Sequence, residues 1–209
     1  MRHIQYLAGL TAASLACIWA VGAGVPLLTE AAAGAPPSHV ETTSDEKMRA
    51  AISDAWDDAT TTWTALLGPR AYRIEEPQIN FVPSIRPSHC YGLYVGKGPV
   101  YCSGNNTVFV SIAEMHKLSD QLGASAEAGL AFLVAHELGH HVQKITGRFR
   151  VLSALVRANP NLQRELTVRF ELEADCLAGV WTGNSARYAT SEAVRDHIVA
   201  TIDAIGDDK

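Results

Sequence analysis

The chain has 209 residues, 47% of them hydrophobic and 19% charged, and a formal net charge of −5. One domain of ordinary size is expected once an N-terminal segment is set aside. Binding to a nucleic-acid backbone would need a basic stripe, and the Lys and Arg positions do not cluster beyond Arg148 and Arg150, so nucleic acid is excluded as a partner.

No charged residue occurs from Tyr6 to Leu28. At about 1.5 Å per residue such a run is long enough to cross a hydrocarbon core of about 30 Å. Arg2 precedes it, while Glu30, Glu41, Asp45 and Glu46 follow, which predicts a single-pass anchor over residues 6–28 with the domain that follows outside the cytoplasm. The competing reading is a cleaved signal peptide, with Ala31-Ala32-Ala33 as the small-residue site and a secreted product. Residues 29–43, rich in Ala, Pro, Ser and Thr, read as a flexible linker. The domain is then residues 44–209.

Asp45 and Glu46 suit the first turn of a helix whose Met48, Ile52, Trp56, Ala59, Trp63, Leu66 and Leu67 form one apolar stripe, ending at Gly68-Pro69. The two tryptophans read as core. Alternation and β-branched content predict strands over 78–82 and 107–112, with a hairpin-like loop between them. Cys90 and Cys102 flank a short loop, and outside the cytoplasm a disulfide is their natural pairing. Free thiols, or an accessory metal site with His89, are the alternatives. A short helix is expected over 114–122.

A long buried helix follows. Ser125-Ala126-Glu127 offer an N-cap and an acidic first turn, Ala128 to Ile145 continue the apolar pattern, and Gly147 stops it. Within it stands His136-Glu137-Leu138-Gly139-His140, the HExxH spacing. Positions i and i+4 share a helix face, so both imidazoles can reach one cation, with Glu137 near its open side. A Zn²⁺ so held lowers the pKa of bound water to about 7, and a neighbouring carboxylate can take the proton. Glu137 is therefore the catalytic base, and His136 and His140 are metal ligands.

A second helix, from about Asn161 to Trp181, supplies Glu171 and Asp175, again i and i+4. Glu171 is assigned to the metal. Asp175 is assigned to the free N–H of a ligand histidine, where a carboxylate fixes the tautomer. Cys176 reads as a small core residue. His141, Arg169, Tyr188 and His197 are candidates for stabilising an oxyanion, and none is singled out. A final amphipathic helix is expected over 192–205. Two strands followed by a run of helices predict the α+β class.

Residues 135–143, AHELGHHVQ, and 171–181, ELEADCLAGVW, resemble the two signature blocks of the neutral zinc metallopeptidase family. Trp56 to Phe81, with Trp63, Gly68, Tyr72 and Pro77, resembles that family's leading helix and first strand. Cys90 and Gly98 to Cys102 are similar to its cysteine-bearing segment. The resemblance implies a zincin-type domain, commonly with a membrane-spanning N-terminus: a small mixed or antiparallel sheet packed on the HExxH helix, with two histidines and a downstream glutamate on zinc. Ser103-Gly104-Asn105-Asn106 and Ser111 depart from the usual pattern.

The expected function is thus a zinc-dependent endopeptidase acting on extracytoplasmic proteins or peptides. The substrate is expected to lie along an edge strand at Thr107 to Ile112. The alternatives are a non-catalytic, zinc-stabilised peptide-binding module and a zinc amidase of cell-envelope material.

Overall fold

The computed structural model describes residues 42–68, 76–90, 98–188 and 191–205. The first helix, α1 (Thr43–Leu67), starts one residue before the expected Ser44 because Thr42 caps it. The Thr42 hydroxyl accepts from the Asp45 amide, and the Asp45 carboxylate accepts from the Thr42 amide. Asp45 also pairs with His116 Nε2 at 2.8 Å, which joins this cap to the helix that carries His116. The predicted stripe is the buried one: Ile52, Ala55, Trp56, Ala59 and Trp63 are core, whereas Leu66 at its end is exposed.

Three strands form one mixed sheet, β1 (Gln78–Val82), β2 (Val100–Cys102) and β3 (Thr107–Ser111), in the order β1-β3-β2. β1 runs parallel to β3, with Gln78 opposite Thr107 and Val82 opposite Ser111. β2 runs antiparallel to β3, with Tyr101 opposite Val108. Two expectations are corrected here. The hairpin joins β2 to β3, not the first strand to the third, and its turn places Asn106 at φ 57°. Moreover, β3 is the central strand and buried at every position, so it has no free edge on which a peptide could add. The three-residue β2 escaped prediction because so short a run shows no alternation.

Helix α2 (Ile112–Leu122) follows β3 directly. A 3-10 turn then enters α3 (Ala126–Ile145), the helix expected to carry the metal site. Ser125 makes no side-chain cap, contrary to expectation, because that turn already supplies the helix entry. Gly147 lies beyond the C-terminus at φ 82°, as expected of a stop. Helix α4 (Arg148–Ala158) was not anticipated. Helices α5 (Gln163–Asn184) and α6 (Glu192–Ile205) match the two later expectations to within about three residues.

α3 is the centre of the domain. Helices α1, α2, α5 and α6 and strand β2 all pack on it, and Phe132, Val134, Ala135, Leu138 and Val142 are buried among them. Two glycines set the closeness of the crossings. A Cβ on Gly129 would lie 2.3 Å from Thr201 Oγ1, so α6 rests against bare helix backbone there. A Cβ on Gly139 would lie 3.0 Å from the Ala174 carbonyl, which brings α5 down onto the HExxH turn. Trp181 anchors the far end of α5, fully buried and donating its indole N–H to Asp58 on α1 at 2.7 Å.

Among the described residues no helix is long and apolar enough to cross a membrane. The predicted anchor over 6–28 and most of the linker lie outside the described residues.

Candidate metal centre

The close crossing of α3 and α5 at Gly139 brings their side chains together. Glu171 Oε2 lies 3.1 Å from His140 Nε2 and 3.4 Å from His136 Nε2. One ligand atom from each of the three residues falls within 4.8 Å of the other two. Zinc–ligand bonds of about 2.0–2.1 Å place neighbouring vertices of a tetrahedron about 3.3 Å apart, so the two printed separations suit a zinc ion.

The chemistry of the donors agrees. His136 Nδ1 faces Asp175 Oδ1 at 2.8 Å, and a carboxylate only accepts, so Nδ1 carries the hydrogen and Nε2 keeps its lone pair. His140 Nδ1 is fixed in the same way by Gln143 Oε1 at 2.8 Å. The Gln143 amide cannot turn round, because its Nε2 donates to the Phe170 carbonyl and to Glu173. Two imidazoles therefore present lone pairs to the position that Glu171 also faces.

The electrostatics favour a cation. Burial opposes charge on His136, but its hydrogen bonds to Asp175 and Glu171, with the nearby Glu137 carboxylate, raise it to about 10. His140 is likewise penalised by burial and raised overall by Glu171 and Glu137. For Glu171 burial is outweighed by the two histidines, which lower it to about 2. Without a metal, the second proton of a charged His136 would sit on Nε2 facing Glu171, and a metal ion takes the place of that proton on the lone pair.

Glu137 is one residue round α3 from His136. Its Oε2 accepts the Tyr101 backbone N–H from β2 at 2.6 Å. Burial raises its pKa, against the lowering effect of both histidines and of that N–H. Tyr101 also donates its hydroxyl to Asn106 at 3.2 Å and lies 3.0 Å from His141 Nδ1. The departing turn at Ser103–Asn106 is therefore tied to the strand that holds Glu137.

All five polar residues predicted for the site converge, but several neighbouring readings change. Cys176 is exposed, not core, because α5 buries the face of Phe170, Ala174, Ala178 and Trp181, and Cys176 points roughly 200° round from Ala174. Among the oxyanion candidates, His141 is turned into the core beside Tyr101, and Arg169 pairs with Glu165 on the surface. Tyr188 packs on Trp181, ten residues or about 15 Å along α5 from Glu171, and His197 stands on α6. Cys90 and Cys102 are joined as a disulfide with Cα atoms 5.3 Å apart, while His89 stacks on Phe109.

Two participants were missed. Gln143 stands at i+3 from His140, a spacing that could have revealed it. Tyr101 acts through its backbone, which leaves no trace in residue type.

No solved structure matches the chain. Among curated proteins, the uncharacterized protein YpfJ of Escherichia coli strain K12 is 30% identical over 150 residues, 71% of this chain and 52% of its own. The uncharacterized proteins Mb2605 of Mycobacterium bovis and Rv2575 of Mycobacterium tuberculosis are each 39% identical over 87 residues, 40% of this chain and 28% of theirs. The chain thus spans about half the length of YpfJ and less of the mycobacterial proteins. The profile of the family described as "Putative neutral zinc metallopeptidase" matches residues 8–209. With nearly its whole length so matched, and with zinc as the implied metal for its His136, His140 and Glu171 cluster, the chain belongs to that zinc metallopeptidase family.

Proposed function

We propose that this chain is a zinc-dependent endopeptidase, with His136, His140 and Glu171 as metal ligands and Glu137 as general base. The observation that carries the reading is the pair of Nδ1 contacts, to Asp175 and Gln143, which leave both Nε2 lone pairs facing Glu171. A closed structural site would need a fourth protein donor, and the cluster among the described residues has three.

Zinc bound there would polarise the scissile carbonyl and acidify the attacking water. Glu137 takes that water's proton through the carboxylate and later delivers it to the leaving amine, so the base ends the cycle as it began. The Tyr101 N–H holds Oε2 in place, leaving Oε1 for the transfer. Asp175 and Gln143 hold the imidazole planes, and Glu171, half exposed, places the centre at the surface seam between α3 and α5, where a chain can reach it.

The substrate class proposed is peptide bonds of proteins or peptides outside the cytoplasm, with residues 6–28 as the membrane anchor. The deciding experiment is digestion of a broad peptide library by the purified protein, with and without a chelator. Cleavage that stops on chelation, returns with zinc and is lost in Glu137→Gln supports the reading. Cleavage that persists in Glu137→Gln removes Glu137 from the role of base.

A further inference from the structure

The charge of this chain is segregated. Between residues 144 and 169 stand Lys144, Arg148, Arg150, Arg157, Arg164 and Arg169 against the single acid Glu165, in a protein whose net charge is −5. The basic residues thus concentrate in one stretch of the sequence, of which Arg148, Arg150 and Arg157 lie on α4. That helix, RFRVLSALVRA, has no acidic residue and no fully buried one.

At 100° per residue, α4 sorts its side chains into sectors. Phe149, Leu152 and Val156 form the side turned to the domain, and Phe149 packs edge-on against Phe170 at 4.8 Å. Nearly opposite, Val151, Ala154, Leu155 and Ala158 make an exposed apolar arc, with Val151 46% and Leu155 43% exposed. Arg150 and Arg157 border that arc on one side, while Arg148, at its other border, pairs with Glu173 at 2.8 Å.

We propose that α4 is an interfacial helix that lies on an anionic lipid surface. An apolar arc about 100° wide, edged by Arg150 and Arg157, which can extend to phosphate while their stems stay in the headgroup layer, is the pattern of such helices. Each arginine near an anionic leaflet adds attraction, and the absence of acids on α4 removes the opposing repulsion. An acidic protein would be matched by the arginines alone, leaving Val151 and Leu155 in water. The lipid surface accounts for both. The uncharged run of residues 6–28 points to the same partner independently. The proposal stands apart from the peptidase reading, since none of these residues touches the metal cluster.

The test uses the full chain with Cys17→Ser, Cys176→Ser and Leu155→Cys, so that with Cys90 and Cys102 held in their disulfide the reporter thiol is on the arc. Labelling by a water-soluble maleimide is timed with phosphatidylglycerol vesicles and with phosphatidylcholine vesicles. A control carries Ala51→Cys in place of Leu155→Cys, on the exposed side of α1. Labelling at position 155 should slow by about tenfold with phosphatidylglycerol alone, since seating Val151 together with the attraction of Arg150 and Arg157 suffices for that. Adding Arg150→Glu and Arg157→Glu should abolish the slowing while peptide hydrolysis is kept. The idea is overturned by equal rates with both lipids. Protection that depends on protein concentration without lipid, as a second copy would give, also overturns it, as does protection by an oligonucleotide in place of vesicles.

Discussion

The backbone N–H of Tyr101 points off strand β2 at the Glu137 carboxylate, 2.6 Å from Oε2. A main-chain donor cannot rotate away as a side chain can, so it sets where the second carboxylate oxygen stands. Glu137→Gln keeps this acceptor and the fold but cannot take a proton. Turnover should fall roughly 10²–10⁴-fold with one zinc per chain still bound, as read by metal analysis beside peptide cleavage rates.

The imidazole supports give a prediction of their own. Asp175→Ala frees the His136 ring and Gln143→Leu frees that of His140. Each should weaken zinc binding by about 10–100-fold, measured by competition with a chromophoric chelator. Unchanged affinity in both would remove these residues from any part in holding the metal.

Zinc uptake by the metal-free protein should release protons. His136, raised to about 10, carries a proton at pH 7.5 that zinc must displace, and His140 is shifted in the same direction. Titrations in buffers of different ionisation enthalpy should give about one to two protons per zinc. The stability signs follow the two shifts. The share from His136 is fully present below 6.5 and is lost as pH rises through about 10. The share from Glu171 is present above 4.5 and is lost as pH falls through about 2. The melting temperature of chelator-treated protein should therefore drop between pH 7 and pH 10 by more than that of the zinc-loaded form.

Removing the disulfide with Cys90→Ser and Cys102→Ser opens a loop with a sequence separation of 12. Loop-closure entropy predicts a loss of about 3 kcal/mol. Urea unfolding would measure it. Because Cys102 adjoins Tyr101, cleavage should also fall more than the zinc content does.

At Gly139 even a methyl group must push the Ala174 carbonyl, 3.0 Å from the built Cβ. Gly139→Val should therefore cost about 1–3 kcal/mol by overpacking and lower zinc affinity as well. Gly139→Ala should do the same to a smaller extent, with thermal melts and chelator competition as the readouts.

Long periodic elements were legible in the sequence. The stripe of α1, the apolar run of α3 and the helix over 192–205 all repeat over several turns, enough for the pattern to stand out. The polar residues of the site were legible for a related reason, since i and i+4 spacing fixes His136 with His140 and Glu171 with Asp175 on common faces. What depends on contacts between distant segments was not. The parallel pairing of β1 with β3, the three-residue β2 and the exposure of Cys176 follow from the way elements meet, and no local pattern encodes them. Helix α4 was missed because its half-exposed arc blurs the contrast between an inner and an outer face.

The missing side chain at position 139 has one more effect, on which acid can serve as the third donor. With the two helices this near, a carboxyl group on a two-carbon stem spans the space from α5 to both imidazoles, whereas Glu171→Asp would leave it one methylene short. The gauge of that gap is written in a residue that never touches the metal.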